Sequence, residues 1–196
     1  MSRSPFAGPT LTLFTLALLV ALGGLGCGQS TSIVRNQAIG NNGSFEHDRS
    51  GRPVNWHVHQ KAVKKSRTEL SLDKTEVRDG GQSLKFSVGT ASGNGAGESP
   101  GIYQDFATRP NRTYRVSFWL KNNQTRFKVF VTGLSPKTTP TRQLVLSEEG
   151  LEDDWSQFNV NHTTTGAQTA IRFELNITGP GTLWIDGVEI QEVDGN

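Results

Sequence analysis

Ligands rich in hydroxyls are gripped by an aromatic ring stacked on their C–H faces, with amides, carboxylates or arginine beside it. In Tyr114–Lys121 (YRVSFWLK), Trp119 stands between Arg115 and Lys121 in that arrangement. Phe130, Arg172, Glu174 and Asn176 add to it if their strands are neighbours in one sheet, and Tyr103 and Gln104 are further candidates on opposite faces of their own strand. A large ring among polar neighbours is either capped by another layer or offered to a ligand. The functional reading turns on that alternative.

Other chemistries find less support. Gly97-Glu98-Ser99-Pro100-Gly101 matches the spacing of a serine nucleophile elbow, but that device needs a strand before the serine and a helix after it. Here a glycine-rich loop precedes and a strand pattern follows. His57 and His59 share a strand face and could supply two metal ligands, yet no third ligand stands at a recognisable spacing, so they read as a polar surface pair. Glu174 and Asp105 are mid-strand carboxylates; a glycosidase needs two at a fixed separation across a cleft, and nothing in the sequence sets these two face to face. The acidic run Glu148, Glu149, Glu152, Asp153, Asp154 lacks calcium-loop spacing and reads as a solvated loop. Lys61, Lys64, Lys65 and Arg67 read as a basic loop, not a nucleic-acid site. Sequons starting at Asn42, Asn111, Asn123, Asn161 and Asn176 mark surface turns.

The elements that must position these residues are strands. Tyr114, Val116, Phe118 and Leu120 alternate as an apolar face, with Arg115, Ser117, Trp119 and Lys121 opposite. Leu84, Phe86 and Val88 alternate likewise, as do Ile102, Gln104 and Phe106, and Phe127, Val129 and Val131. Ile171, Phe173, Leu175 and Ile177 point inward against Arg172, Glu174 and Asn176, and Leu183, Ile185, Val188 and Ile190 close the domain. Asn41-Asn42-Gly43, Asp79-Gly80-Gly81, Pro110-Asn111-Arg112 and Gly179–Gly181 are turns. No stretch has helical periodicity. Roughly nine or ten short strands predict an all-β, antiparallel two-sheet jelly-roll sandwich with no substantial helix.

The chain has 196 residues, room for one sizeable core, and a formal net charge of +2 with 19% charged residues, which leaves no excess to attract nucleic acid or another polyanion. Residues 1–26 carry Arg3, the apolar run Leu11–Val20 and a small-residue tail, the build of a secretory signal too short for a membrane span. The single cysteine, Cys27, follows Leu25-Gly26, which resembles the lipobox of bacterial lipoproteins; Gly24 departs from the larger aliphatic residue usual there. The resemblance implies an acylated Cys27 anchoring the protein to a membrane, whereas an ordinary cleaved signal would leave a free thiol. Residues 27–37 are then the lipidated cysteine and a polar tether reaching on the order of 30 Å. Gly28 beside the cysteine suits sorting to the outer membrane. Residues 38–196 form the exported domain, and one cysteine excludes an internal disulfide.

Five motifs then occur in a familiar order. Asn42-Gly43-Ser44-Phe45-Glu46 with Pro53-Val54-Asn55-Trp56, Gly81-Gln82-Ser83-Leu84, Tyr114–Lys121, Asp154-Trp155 and Leu183-Trp184-Ile185-Asp186-Gly187-Val188 resemble galactose-binding-like jelly rolls, including carbohydrate-binding modules of families four, nine, sixteen and twenty-two. Trp56, Trp155 and Trp184 fall at these signatures beside turns and read as core or strand-end packing. The resemblance implies a structural calcium at Glu46 and Asp186, helped by carbonyls around Asp79–Ser83; the alternative is that the two carboxylates cap turns or pair with Lys and Arg. It implies non-catalytic glycan binding on a concave sheet face, in a lipoprotein of the cell envelope. A protein–protein adaptor or structural module of a surface assembly, with an envelope protein as partner, is the other reading the fold permits.

Overall fold

The computed structural model describes residues 41–90, 98–140, 142–149 and 154–193. The signal, Cys27, the tether and part of the glycine-rich and acidic loops lie outside those residues. A hairpin of β1 (Asp48–Arg49) and β2 (Arg52–Pro53) is followed by β3 (His57–Val58), a short helix α1 (Gln60–Lys65), β4 (Thr68–Asp73) and β5 (Ser83–Val88). Then come β6 (Gly101–Ala107), β7 (Thr113–Asn123), β8 (Arg126–Leu134), β9 (Gln143–Glu149), β10 (Ser156–Thr163), β11 (Ala170–Ile177) and β12 (Gly181–Val193). The first sheet runs β10-β7-β12-β5-β4 and the second β3-β6-β11-β8-β9, with every pairing antiparallel. The expected two-sheet sandwich is the fold observed.

Alternation makes the core. Val116, Phe118 and Leu120 of β7 meet Ile171, Phe173 and Leu175 of β11 in one buried cluster, and Phe118 lies edge-on to Phe173 across the sheets at 5.1 Å. Each buried ring contributes roughly 1.5–3 kcal/mol, so these few positions dominate stability. Trp56 belongs to the same core, 5.2 Å from Phe45 and 6.1 Å from Phe173.

The opening motif has a physical reason. The Asn42 side chain donates to the carbonyls of His47 and Val54 and accepts from His47 N, while Trp56 Nε1 donates to Asn42 O. Val188 N donates to Gly43 O, so the first turn is pinned to the last strand. In β12 a bulge between Asp186 and Glu189, with Gly187 at φ +56°, shifts the alternation so that Ile185 and Val188 both point inward.

Two local expectations change. The basic run Lys61–Lys65, read as a loop, is part of α1. Its buried Ala62 and the Ser66 Oγ bond to Ala62 O at 2.7 Å hold a turn and a half too short to show a period. The acidic run is not all loop either, since Glu148 and Glu149 pair with β8 as the end of β9.

Candidate functional site

The condition on which the candidates formed one site is not met. Arg115, Trp119 and Lys121 lie on β7 in the first sheet, whereas Tyr103, Phe130, Arg172, Glu174 and Asn176 lie on β6, β8 and β11 in the second. Each set points away from the shared core, so the two occupy opposite outsides of the sandwich. Gln104 joins neither. It turns inward with Ile102 and Phe106, is buried, and its Nε2 donates to the carbonyls of Asn41 and Asn55, so it is a structural tie and not a ligand contact.

On the first sheet, Trp119 is capped. The Arg78 guanidinium lies 3.9 Å above its ring, and the Gly187 bulge presses so close that a Cβ there would stand 3.1 Å from its Cδ1. Lys121 Nζ is engaged by Glu76 Oε2 at 2.7 Å and Arg115 Nη2 by Gln191 Oε1 at 2.7 Å. Trp184 is buried on this same side, its Nε1 bonded to Asp73 Oδ2 at 3.0 Å. An open hollow of about 560 Å³ remains, lined by Arg115, Ser117, Gln157, Asn159, Asn161 and Glu189, none of them aromatic.

On the second sheet one cross-strand row spans all five strands: His57, Tyr103, Glu174, Phe130 and Leu144. Tyr103 stacks with His57 at 4.7 Å and 16° and with His59 at 5.4 Å. Arg172 lies 4.3 Å over the Tyr103 ring and is gripped by both oxygens of Asp105 at 2.6 and 2.8 Å. That grip, outweighing burial, raises the Arg172 pKa. Arg142 lies 5.3 Å over Phe130, its Nη2 donating to both Glu174 oxygens at 2.5 and 2.6 Å. The same device thus appears twice: an arginine fixed by a carboxylate and laid against a ring.

Glu174 is only 1% exposed. Burial pushes its pKa up, but the His59 and Asn176 side chains and the charge of Arg142 outweigh that and hold it below the ordinary carboxylate range. Asn176 Nδ2 donates to Oε1 at 2.9 Å, and His59 Nε2 stands 3.3 Å from the same oxygen, off the line of a hydrogen bond. Glu174 is therefore a buttress that positions its neighbours and does not itself reach a ligand. The side chains on this part of the face that solvent reaches include Tyr103, Phe130, Arg142, Arg172 and the two histidines. Arg142, His57 and His59 were not among the predicted contacts. Cross-strand register unites the histidines with Tyr103, whereas nothing in the sequence ties Arg142 to Glu174.

The catalytic alternatives gain nothing. Asp105 and Glu174 are each held by an arginine, Arg172 and Arg142, and not presented as a free pair across a cleft. Ser99 is followed by strand β6 and not by a helix. No group of three or more His, Cys, Asp or Glu able to hold a metal occurs among the described residues.

The two carboxylates expected to hold calcium are bonded to backbone N–H groups of the turn. Glu46 Oε1 accepts backbone N–H bonds from Gly81 and Gln82, Asp186 Oδ2 accepts them from Arg78 and Asp79, and Oδ1 accepts one from Gly187. A calcium ion needs about six to eight converging oxygens. The turn gives these carboxylates N–H groups, which is the turn-capping role that the sequence offered as the alternative. Gly80, at φ +78°, is required there because a Cβ would lie 2.5 Å from Glu46 Oε1.

A family model described as Carbohydrate binding domain matches residues 37–182. The fold is similar to the CBM22-1 xylan-binding domain of Xyn10C from Paenibacillus barcinonensis, at 14% identity and TM-score 0.55, over 78% of this chain and 93% of that one. A CBM4 module is similar at 16% identity and TM-score 0.55, over 78% and 99%. The CBM22-1–GH10 portion of Clostridium thermocellum xylanase 10B, complexed with xylohexaose, is similar at 16% identity and TM-score 0.54 over 72% of this chain, which spans only 26% of that protein. No curated protein sequence matches the chain. At such identities the structural likeness concerns the fold.

Proposed function

This chain belongs to the carbohydrate binding domain family, and from that premise we propose that it is a non-catalytic glycan-binding protein holding its ligand on the outer face of the second sheet. The observation that carries this reading is the row from His57 to Leu144, where two rings and two fixed arginines lie within one strip of sheet. Rings stack on sugar C–H faces, and arginine, histidine and amide groups bond hydroxyls. Arginines already locked by carboxylates lose little side-chain entropy on binding. Xylan, named for one of the similar modules, is the first polymer to try. The sequence around Cys27 supports a lipid anchor and an envelope location, outer membrane or cell surface.

Affinity electrophoresis against a polysaccharide panel tests both the face and the function. Tyr103→Ala abolishes retardation, whereas Trp119→Ala on the opposite sheet leaves it in place. The reverse pattern moves the site to the first sheet, and no retardation by any polymer, with a stable envelope protein captured instead, replaces the reading by the adaptor. In cells the full chain fractionates with membranes, and its Cys27→Ser variant does not; unchanged fractionation of the variant overturns the anchor.

A further inference from the structure

Resting on the reading that this face holds a glycan, we infer that the glycan it selects is a carboxylated one, a polysaccharide bearing uronic acids. Neutral sugar hydroxyls donate as well as accept, so a site made for them shows open carboxylate or carbonyl oxygens beside its N–H groups. Here the two carboxylates beside the rings, Glu174 and Asp105, are already engaged. Glu174 lies beneath the surface with Arg142 across both oxygens, and Asp105 has one oxygen on Arg172 Nε and the other on Nη2. What remains toward solvent includes the other guanidinium N–H groups of Arg142 and Arg172, each with about a third of its side chain exposed (both 32%), beside Asp105, whose two oxygens are each taken by Arg172.

The charge points the same way. Each arginine is balanced by its own carboxylate. Lys128 is not: it occupies the neighbouring row between Asn176 and Ser147, half-buried, and no ion pair joins it to a described residue. It adds a positive charge beside the strip that no described carboxylate pairs, with His57 and His59 adding no negative charge. A uronate offers what this strip lacks, an acceptor-only group with negative charge, while the rest of its ring lies against the row's apolar end at Phe130 and the exposed Leu144. The first sheet's hollow differs in kind, its amides, hydroxyl, Arg115 and Glu189 mixing donors and acceptors.

The test uses calorimetric titration of the exported chain with glucuronoxylan and with the same polymer after chemical reduction of its carboxyl groups, each at low and high salt. The carboxylated polymer binds about tenfold more tightly at low salt, and raising the salt shrinks that advantage. Lys128→Gln weakens binding of the carboxylated polymer about threefold and leaves the reduced one unaffected, while Lys128→Arg restores it. Equal or tighter binding of the reduced polymer overturns the inference and leaves the glycan reading standing. If neither polymer binds and no other in the panel does, the reading itself falls.

Discussion

Glu174 carries a charge where almost no solvent reaches it, and the cost of that burial is offset by Arg142, Asn176 and His59. Removing one partner leaves the carboxylate stranded. Arg142→Ala therefore costs about 3 kcal/mol in urea denaturation at neutral pH, and the double change with Glu174→Gln costs less than the sum of the two. A loss below about 0.5 kcal/mol, as for an exposed pair, would show that Glu174 does not depend on this contact. Because the folded-state pKa is lowered, the stability Glu174 adds is present above its ordinary value and fades as pH falls through the folded one. None of this was legible beforehand. Glu174 was placed correctly on a polar strand face, but its partner is 32 residues away in a polar connection with no pattern of its own.

Among the elements, the turn leading into β5 is tied by three carboxylates. Asp73 takes the N–H groups of Thr75 and Glu76, Glu46 those of Gly81 and Gln82, and Asp186 those of Arg78 and Asp79. Asp186 is fully buried, and that burial, with nearby Asp79 adding, raises its pKa to about 6 despite the three backbone N–H bonds. The folded state thus holds this proton more tightly than the unfolded chain does. Its contribution is complete below about pH 4 and is lost as pH rises through about 6. Over that interval wild type loses about 3 kcal/mol relative to Asp186→Asn in chemical denaturation, two pH units being worth that much. A difference that stays constant from pH 4 to 7 sinks the assignment. Strands were legible because two-residue alternation persists through β5, β7, β8 and β11. The β12 bulge was legible only as a break in phase, and α1 was too short to announce itself.

At the level of the whole molecule, alternation told inside from outside but not which outside. Trp119 and Glu174 are both outward, yet β7 and β11 lie in different sheets, and sheet membership depends on pairings between strands far apart in sequence. The same long-range pairing brings the ends of the described domain together: Gly43 bonds to Val188, and Glu46 and Asp186 grip one turn from its two sides. Backbone N–H groups bonded to these two carboxylates tie both ends to the turn. The exported chain, stripped with chelator and returned to millimolar calcium, therefore keeps its melting temperature within about 1 °C. A site filled to a hundred times its dissociation constant would add about 2.7 kcal/mol, roughly 5–10 °C for a domain of this size. A rise of that order, abolished by Asp186→Asn, would mean that the turn reverses its peptide groups to present carbonyls, and that the N–H clamp is only the metal-free arrangement.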